Sequence, residues 1–147
     1  MKILRFALVV VLTLAAIAVG GFVYLGQSSK SGKALGLVQG QLAPCPASPN
    51  CVSSESETPA DKRVEPLAGD TWDAIPDAIS VMGGTITQQS EDYIAAEFTS
   101  ATFGFVDDVE FRRAENAVQV RSASRVGYSD AGVNAQRIAE LRARLTS

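Results

Sequence analysis

The hydrophobic and polar positions divide the 147-residue chain into an apolar N-terminal segment and a domain of mixed pattern. No charged residue occurs between Arg5 and Lys30, and residues 6–25 are almost continuously apolar. A helix of about 20 residues spans about 30 Å, the thickness of the hydrocarbon core of a bilayer. Since Lys2 and Arg5 precede this run, the pattern predicts a single-pass membrane anchor with its N-terminus inside.

A cleaved signal peptide is the alternative, because Ala16-Ile17-Ala18 is a small-x-small sequence of the kind found at cleavage sites. The apolar residues continue past that point to Leu25, which favours an uncleaved anchor. Both interpretations export the rest of the chain. We therefore predict an inner-membrane protein whose domain lies in the periplasm, with residues 1–25 as anchor or signal, 26–36 as a linker and 37–147 as the exported domain.

The apolar periodicity of the exported part predicts two helices. Asp70–Met82 carries one apolar stripe with spacings of three and four, at Trp72, Ile75, Ile79 and Met82. Pro76 belongs in the first turn, where no backbone donor is needed, so Asp73 is the better N-cap, and Gly83 ends the helix. The last helix is expected at about Val133–Leu145.

Alternating apolar and polar residues predict four antiparallel strands between these helices, at residues 85–89, 93–99, 103–112 and 117–124. A short edge strand over Arg63–Leu67 precedes them, since Pro66 cannot donate within a central ladder. The expected fold class is therefore α+β. It consists of an antiparallel β-meander of about four to five strands with two helices packed on one face, preceded by the N-terminal helix.

Cys45 and Cys51 are the two cysteines, and they lie in an extended arm, residues 37–54, whose prolines preclude a helix. An even count in an exported chain favours a disulfide, with a metal pair and a redox pair as the alternatives. The chain has no histidine, and two cysteines alone leave a zinc site short of ligands. The spacing is also not Cys-x-x-Cys. We therefore predict a structural disulfide, no metal and no cofactor.

Charge is segregated along the chain, whose net charge is −3. Residues 55–110 carry thirteen acidic side chains against Lys62 and Arg63, and residues 111–147 carry seven arginines against three carboxylates. Acidic and basic strands that pair across the sheet explain this pattern. The overall negative charge and the predicted export disfavour a nucleic-acid partner.

The third and fourth strands are expected to pair their charged side chains on the face opposite the apolar one. If Val109 pairs with Val120, then Asp108 lies across from Arg121; if the register slips by two residues, Glu110 lies there instead. On a solvated face such a pair is structural and contributes well under about 1 kcal/mol.

Asp107 is the unusual residue of the third strand, because strict alternation places it on the apolar face between Phe105 and Val109. A buried carboxylate needs donors or a cation. Two explanations are open: a β-bulge releases Asp107 from that face, or it orients an arginine such as Arg125 or polar groups of the loop that follows.

The segment Arg121–Arg137 joins the fourth strand to the last helix and is dense in arginine, glycine and capping residues. Free N–H groups at the helix N-terminus, with arginines nearby, predict a site for an anionic ligand or lipid headgroup. The alternative is an arginine-stapled helix cap in which Asp130 satisfies the donors itself. The residues assigned to the hypothetical ligand site are Asp107, Arg121, Arg125, Tyr128, Ser129, Asp130, Asn134 and Arg137.

Enzymatic function has weaker support, since the chain has no histidine, nucleophile elbow, phosphate loop or metal-ligand spacing. Asp107 and Asp108 are adjacent on a strand and so point to opposite faces. The first hypothesis is therefore a membrane-anchored binding or interaction module for an anionic ligand or an envelope protein. The rivals are a hydrolase-like enzyme that uses Asp107 or Asp108 with Ser129 or Tyr128, and a purely structural docking domain.

Three segments carry a family resemblance: Cys45-Pro-Ala-Ser-Pro-Asn-Cys-Val-Ser-Ser, Phe103-Gly-Phe-Val-Asp-Asp-Val-Glu-Phe and the whole of Arg121–Arg137. In this order they resemble the domain of unknown function 1499, a small envelope domain of bacteria with relatives in plastids. The resemblance covers the chain from about Leu37 onward. It implies that the three segments act as one unit, and it implies no activity, cofactor or catalytic residue.

Overall fold

A computed structural model of the chain describes residues 2–146 and has an α+β domain behind a long N-terminal helix. The helices are α1 (Lys2–Ser29), α2 (Ile75–Val81) and α3 (Val133–Leu145), and a 3₁₀ helix, Gly69–Ala74, leads into α2. The strands are β1 (Leu37–Val38), β2 (Gln41–Leu42), β3 (Cys51–Ser53), β4 (Leu67–Ala68), β5 (Thr85–Gln89), β6 (Tyr93–Thr99), β7 (Val106–Arg113) and β8 (Ala117–Ser124).

Six of these strands form one antiparallel sheet in the order β3-β8-β7-β6-β5, and β4 also pairs with β8. The predicted meander is thus confirmed as β5–β8. The segment predicted to be extended, residues 37–54, contributes the edge strand β3, which the sequence did not predict. The expected strand at Arg63–Leu67 is shorter and later than predicted, because only Leu67–Ala68 is a strand and Arg63 makes an isolated bridge to Ser53.

Helices α2 and α3 pack on one face of the sheet, called here the helix face, which confirms the predicted arrangement. Apolar side chains of β6, β7 and β8 meet those of the helices there and are almost completely buried. They include Ile94, Val109, Phe111, Val120, Ile75, Ile79, Ile138 and Leu141. Burial of these side chains from water is the main source of stability on this side of the sheet.

The start of α2 differs from the prediction. The α-helix begins at Ile75, one residue later than an N-cap at Asp73 implies, and its N-cap is Ala74, which has no side-chain cap hydrogen bond. Pro76 lies in the first turn as expected. Pro76 has no N–H to donate to a carbonyl four residues earlier, and Ile75 N donates to Trp72 O, three residues earlier, so the chain approaches α2 as a 3₁₀ helix. Gly83 ends the helix with a φ of 80°, as predicted.

The third predicted strand also begins later, at Val106 instead of Phe103. Gly104 has a φ of 70°, and Ser100 and Phe105 are joined by a backbone hydrogen bond, so residues 100–105 form a turn. Phe105 therefore does not share the core with Val109 but contacts Phe22 of α1.

The opposite face of the sheet, called here the arm face, is covered by residues 30–46, which we call the arm. Within it β1 and β2 form a hairpin, and Leu42 packs on Tyr93 and Ala95 of β6. A disulfide joins Cys45 to Cys51 at the start of β3, as predicted. The domain therefore has three layers: helices, sheet and arm.

Helix α1 is long and apolar enough to cross a membrane or to act as a signal sequence, with a mean hydropathy of 2.7 over 18 residues. It continues to Ser29, so the segment predicted as a linker begins as helix. Its last turns contact the domain: Phe22 stacks on Phe103 at 5.3 Å, and Ser29 Oγ accepts a hydrogen bond from Val106 N at 3.0 Å. The residues that make these contacts lie beyond Ala18, so cleavage there would not remove them from the chain.

Candidate functional site

The residues predicted to form one ligand site are divided between the two faces of the sheet. The pairing of β7 with β8 has a regular register in which Glu110 lies opposite Arg121 and Phe111 opposite Val120. This is the two-residue slip considered from the sequence, rather than the pairing of Val109 with Val120. No bulge interrupts the register around Asp107, so Asp107 points to the helix face and Asp108 to the arm face.

On the helix face Asp107 is held by an arginine, but by Arg137 of α3 rather than Arg125. Arg137 Nη2 donates to Asp107 Oδ2 at 2.6 Å, and its Nη1 donates to Asn134 Oδ1 at 2.7 Å. The guanidinium also lies 4.8 Å from the ring centroid of Phe98. The cation thereby satisfies the carboxylate that alternation placed on an apolar face.

Asn134 connects this ion pair to the disulfide loop. Its side chain is fully buried and accepts a hydrogen bond from Ser122 Oγ at 2.6 Å. Its Nδ2 donates to Asn50 O and to Ser124 Oγ, both at 3.1 Å. Every polar atom of this amide thus has a partner in the protein, which indicates a structural fastening of α3 to the sheet.

The loop before α3 satisfies its own helix N-terminus. Asp130 accepts hydrogen bonds from Gly132 N at 3.0 Å and from Asn134 N at 2.8 Å. Ser129 Oγ accepts one from Ala131 N at 3.3 Å, while Tyr128 is 77% exposed. The donors that an anionic ligand would need are therefore occupied by the protein's own carboxylate, as the alternative interpretation of the sequence expected.

The arm face contains a buried network centred on Glu110 and Arg121. Arg121 Nη1 donates to Glu110 Oε2 at 2.8 Å, and the two residues are 4% and 0% exposed. Glu110 Oε1 accepts from Tyr93 Oη and from Gly36 N of the arm, each at 2.7 Å. Burial, and then the hydrogen bond to Glu110, raise the pKa of Tyr93 well above its usual range.

Arg125 forms the second part of this network and also contacts α1. It donates to both oxygens of Asp108, at 2.8 and 2.6 Å, and its Nη2 also donates to Glu97. Its Nη1 donates to the carbonyl oxygen of Ser29 at 3.2 Å. The hydrogen bonds to Asp108 raise the pKa of Arg125 above its ordinary value, against the opposing effect of burial. The expected contact between Arg125 and Asp107 is thus replaced by one to Asp108.

A third ion pair ties the arm to the sheet. Arg112 donates through Nε and Nη2 to the two oxygens of Glu55, at 2.9 and 3.0 Å. Glu55 Oε1 also accepts from Leu42 N at 3.0 Å. Sequence analysis did not single out Glu55, Tyr93 or Glu97. The sequence did contain a signal for two of them. Tyr93 and Glu97 alternate with the core residues of β6, so they lie on the same face of the sheet as Glu110.

A cleft of about 470 Å³ opens between the arm and the sheet beside this network. Its lining includes Lys33, Leu35, Pro44, Asp108, Arg121 and Arg125. Among the described residues 2–146, Arg121 Nε is the one buried side-chain nitrogen or oxygen that has no hydrogen-bond partner. An unsatisfied buried N–H costs about 1–3 kcal/mol, and this one belongs to a side chain that lines the cleft.

The arrangement gives little support to acid–base catalysis by the two neighbouring carboxylates. Asp107 and Asp108 lie on opposite faces, and each is engaged by its own arginine. In the part of the chain that the structure describes, no group of three or more His, Cys, Asp or Glu side chains is placed to hold a metal ion.

Comparison with known proteins assigns the chain to a family. No curated protein matches the chain. No solved structure matches it either. A family model described as "Protein of unknown function (DUF1499)" matches residues 41–145, which span β2 to α3 and contain both faces of the sheet. The chain therefore belongs to the DUF1499 family of proteins of unknown function.

Proposed function

We propose that the protein is a membrane-anchored binding module of the cell envelope and that it holds an anionic group in the cleft between arm and sheet. The observation that carries this proposal is Arg121, which lines the cleft and whose buried Nε–H has no acceptor among the described residues. A carboxylate or phosphate oxygen in the cleft would satisfy it with a charge-assisted hydrogen bond.

The lining of the cleft carries more positive than negative side chains, and Glu97 and Glu110, outside the lining, pair with Arg125 and Arg121. The lining contains three cationic side chains, Lys33, Arg121 and Arg125, and one carboxylate, Asp108. Asp108 is already bound through both oxygens by Arg125, and Arg121 uses one hydrogen bond on Glu110. Lys33, which is exposed, adds a positive charge to the lining. The hydrogen-bonding groups of the lining that remain available to a ligand are therefore donors.

The cellular placement is part of the proposal. We place the N-terminus inside, α1 across the inner membrane through residues 6–25, and the domain in the periplasm. The disulfide supports an oxidising compartment, and the length and apolarity of α1 support an anchor or signal. Of the residues first assigned to the site, Arg121 and Arg125 belong to this cleft, whereas Asp107, Asn134 and Arg137 belong to the helix face.

The proposal is tested by thermal unfolding of the full chain in a neutral detergent. Acetate and inorganic phosphate are titrated in, with chloride at matched ionic strength as the control. A ligand at about ten times its Kd adds about 1.4 kcal/mol, which raises the Tm of a domain of this size by several degrees. We expect a saturable rise with acetate or phosphate and none with chloride.

A variant that tests the site must remove the positive charge of Arg121 without leaving Glu110 buried and unpaired. We therefore choose the double substitution Glu110→Gln with Arg121→Gln. It keeps acceptors for Tyr93 Oη and Gly36 N and should remain folded. It should abolish the anion effect. Arg144→Gln, which removes an exposed cation on α3, is the matched control and should retain the effect. An equal response in the double variant, or no response in the wild type, would show that the cleft binds no anion.

A further inference from the structure

The end of α1 is fastened to the domain next to the cleft. An added Cβ at Gly26 would lie 1.9 Å from Phe103 O, so the helix packs directly against the backbone of the turn at residues 100–105. Phe22, Gly26 and Ser29 are spaced by four and three residues and thus share one face of the helix. Because Phe22 contacts Phe103, and Ser29 contacts both Val106 and Arg125, the domain has a defined position on α1.

The cleft lies at this same end of α1. Arg125, which lines the cleft, donates to the last carbonyl of the helix at Ser29, 3.2 Å away. Gly32, Lys33 and Leu35 follow the helix directly and form one wall. The apolar residues 6–25 are enough to fill the hydrocarbon core, so Gly26–Ser29 reach the level of the lipid headgroups. The cleft then opens at the surface of the outer leaflet.

The arm beside the cleft exposes apolar side chains. Leu35 lines the cleft and is 63% exposed, while Leu37 and Val38 are 38% and 50% exposed in β1. Buried donors and cations therefore lie within the cleft together with the exposed apolar side chain of Leu35. A small hydrophilic anion would use only the first of these features, whereas a molecule with an anionic head and an apolar tail would use both.

We infer that the ligand of the cleft is an anionic amphiphile taken from the membrane, with its carboxylate or phosphate at Arg121 and the start of its acyl chain against Leu35. This inference rests on the proposed anion site and adds the class of the ligand. Fatty acids and acidic phospholipids share this chemistry. Each methylene buried against Leu35 should tighten binding by a factor of about four.

The test is native mass spectrometry of the full chain in a neutral detergent with four added probes: oleate, phosphatidylglycerol, phosphatidylcholine and acetate. We expect a one-to-one adduct with oleate or phosphatidylglycerol, with a Kd at least about tenfold lower than that for acetate. Retention of one and not the other identifies the source of the headgroup. Phosphatidylcholine should be retained at least about tenfold less well, since its net charge is zero.

Two single variants distinguish the contribution of the ligand's acyl chain from that of its anionic headgroup. Leu35→Ser should raise the Kd for oleate or phosphatidylglycerol about tenfold and leave the acetate-induced rise in Tm unchanged. Val81→Ser, at a residue that is 71% exposed on α2 of the opposite face, is the matched control and should change neither.

The outcomes distinguish the two proposals. If acetate binds through Arg121 but oleate and phosphatidylglycerol bind no more tightly, the inference of an amphiphilic ligand is wrong and the proposed anion site is supported. If no probe binds, the amphiphilic ligand is wrong, and the anion site is wrong as well unless inorganic phosphate raises the Tm. If phosphatidylcholine is retained as well as phosphatidylglycerol, or if Leu35→Ser has no effect on the retained lipid, the adduct reflects adhesion to apolar surface and the amphiphile inference is overturned.

Discussion

The two faces of the sheet are both buried but are stabilised by opposite chemistry. Phe111 and Glu110 are neighbours in β7, and both are 0% exposed. Phe111 points into the apolar layer beneath α2 and α3, whereas Glu110 points under the arm and is bound by Arg121, Tyr93 and Gly36. Apart from Asp107, which pairs with Arg137 on the helix face, alternation along β7 therefore separates apolar from charged residues without separating buried from solvated ones.

The two kinds of burial respond differently to mutation. Apolar burial on the helix face stabilises the fold directly, roughly in proportion to the area removed from water. A buried ion pair such as Arg121–Glu110 gives little net stability, because desolvation offsets most of its attraction. Removal of one partner is nevertheless costly, since it leaves the other charged and buried. The arm face is thus better suited to specify a geometry than to provide stability.

The largest predicted effect tests this comparison directly. Arg121→Ala should destabilise the fold by about 3–5 kcal/mol, because it leaves Glu110 unpaired. Phe111→Ala should cost about the same, through a cavity in the helix-face core. Chemical denaturation of the full chain in detergent measures both free energies of unfolding.

The double variant Glu110→Gln with Arg121→Gln distinguishes the two mechanisms. It should be destabilised by clearly less than Arg121→Ala, since no unpaired charge remains. No second substitution is expected to rescue Phe111→Ala in this way. A cost below about 1 kcal/mol for Arg121→Ala would mean that the pair behaves as a solvated one.

The helix face could be predicted from sequence because its elements carry local signals. The bounds of β5, β6, β8 and α3 follow from alternation, periodicity and turn residues, and the structure confirms them. The sequence did not specify the register of β7 on β8, because both pairings place a carboxylate across from Arg121. The structure resolves this by pairing Phe111 with Val120.

The arm face could not be predicted, because its cover comes from a segment without periodicity. Residues 30–46 look like a linker and a proline-rich loop, yet Gly36 and Leu42 donate to Glu110 and Glu55. These contacts join residues far apart in sequence, and no local pattern encodes them. The same applies to the choice of Arg137 for Asp107, which depends on how α3 lies across the sheet.

The next largest effect concerns the disulfide that ties the arm to β3. Cys45→Ser with Cys51→Ser should destabilise the fold by about 2 kcal/mol in the chain-entropy model. Because Cys45 belongs to the arm and lines the cleft, loss of the disulfide should accelerate hydrogen exchange more in residues 30–46 than in α2. Equal acceleration on both faces would contradict a role restricted to the arm. Two free thiols in the denatured wild-type chain without reductant would argue against the disulfide itself.

A smaller effect is expected from Tyr93, whose pKa is raised by burial and by its bond to Glu110. Tyr93→Phe should cost about 1.5 kcal/mol, the value of a hydrogen bond to a charged group. Since the folded pKa lies above the unfolded value of about 10, this stability is present below about pH 10 and is lost as the pH rises further. Denaturation at pH 8 and pH 11 should show a smaller loss of stability for Tyr93→Phe than for the wild type, and equal losses would contradict the raised pKa.

The smallest effect is predicted for an ion pair that neither face buries. Glu140 and Arg144 lie one turn apart on α3, and their side chains are 52% and 42% exposed. Glu140→Ala should change the free energy of unfolding by less than about 0.5 kcal/mol, because water already solvates both charges and salt screens them. Arg121→Ala breaks a pair at the same 2.8 Å separation but should cost several times more. Equal costs for the two variants, measured in the same denaturant and salt, would remove burial as the cause of the difference, and with it the distinction drawn between the arm face and a solvated surface.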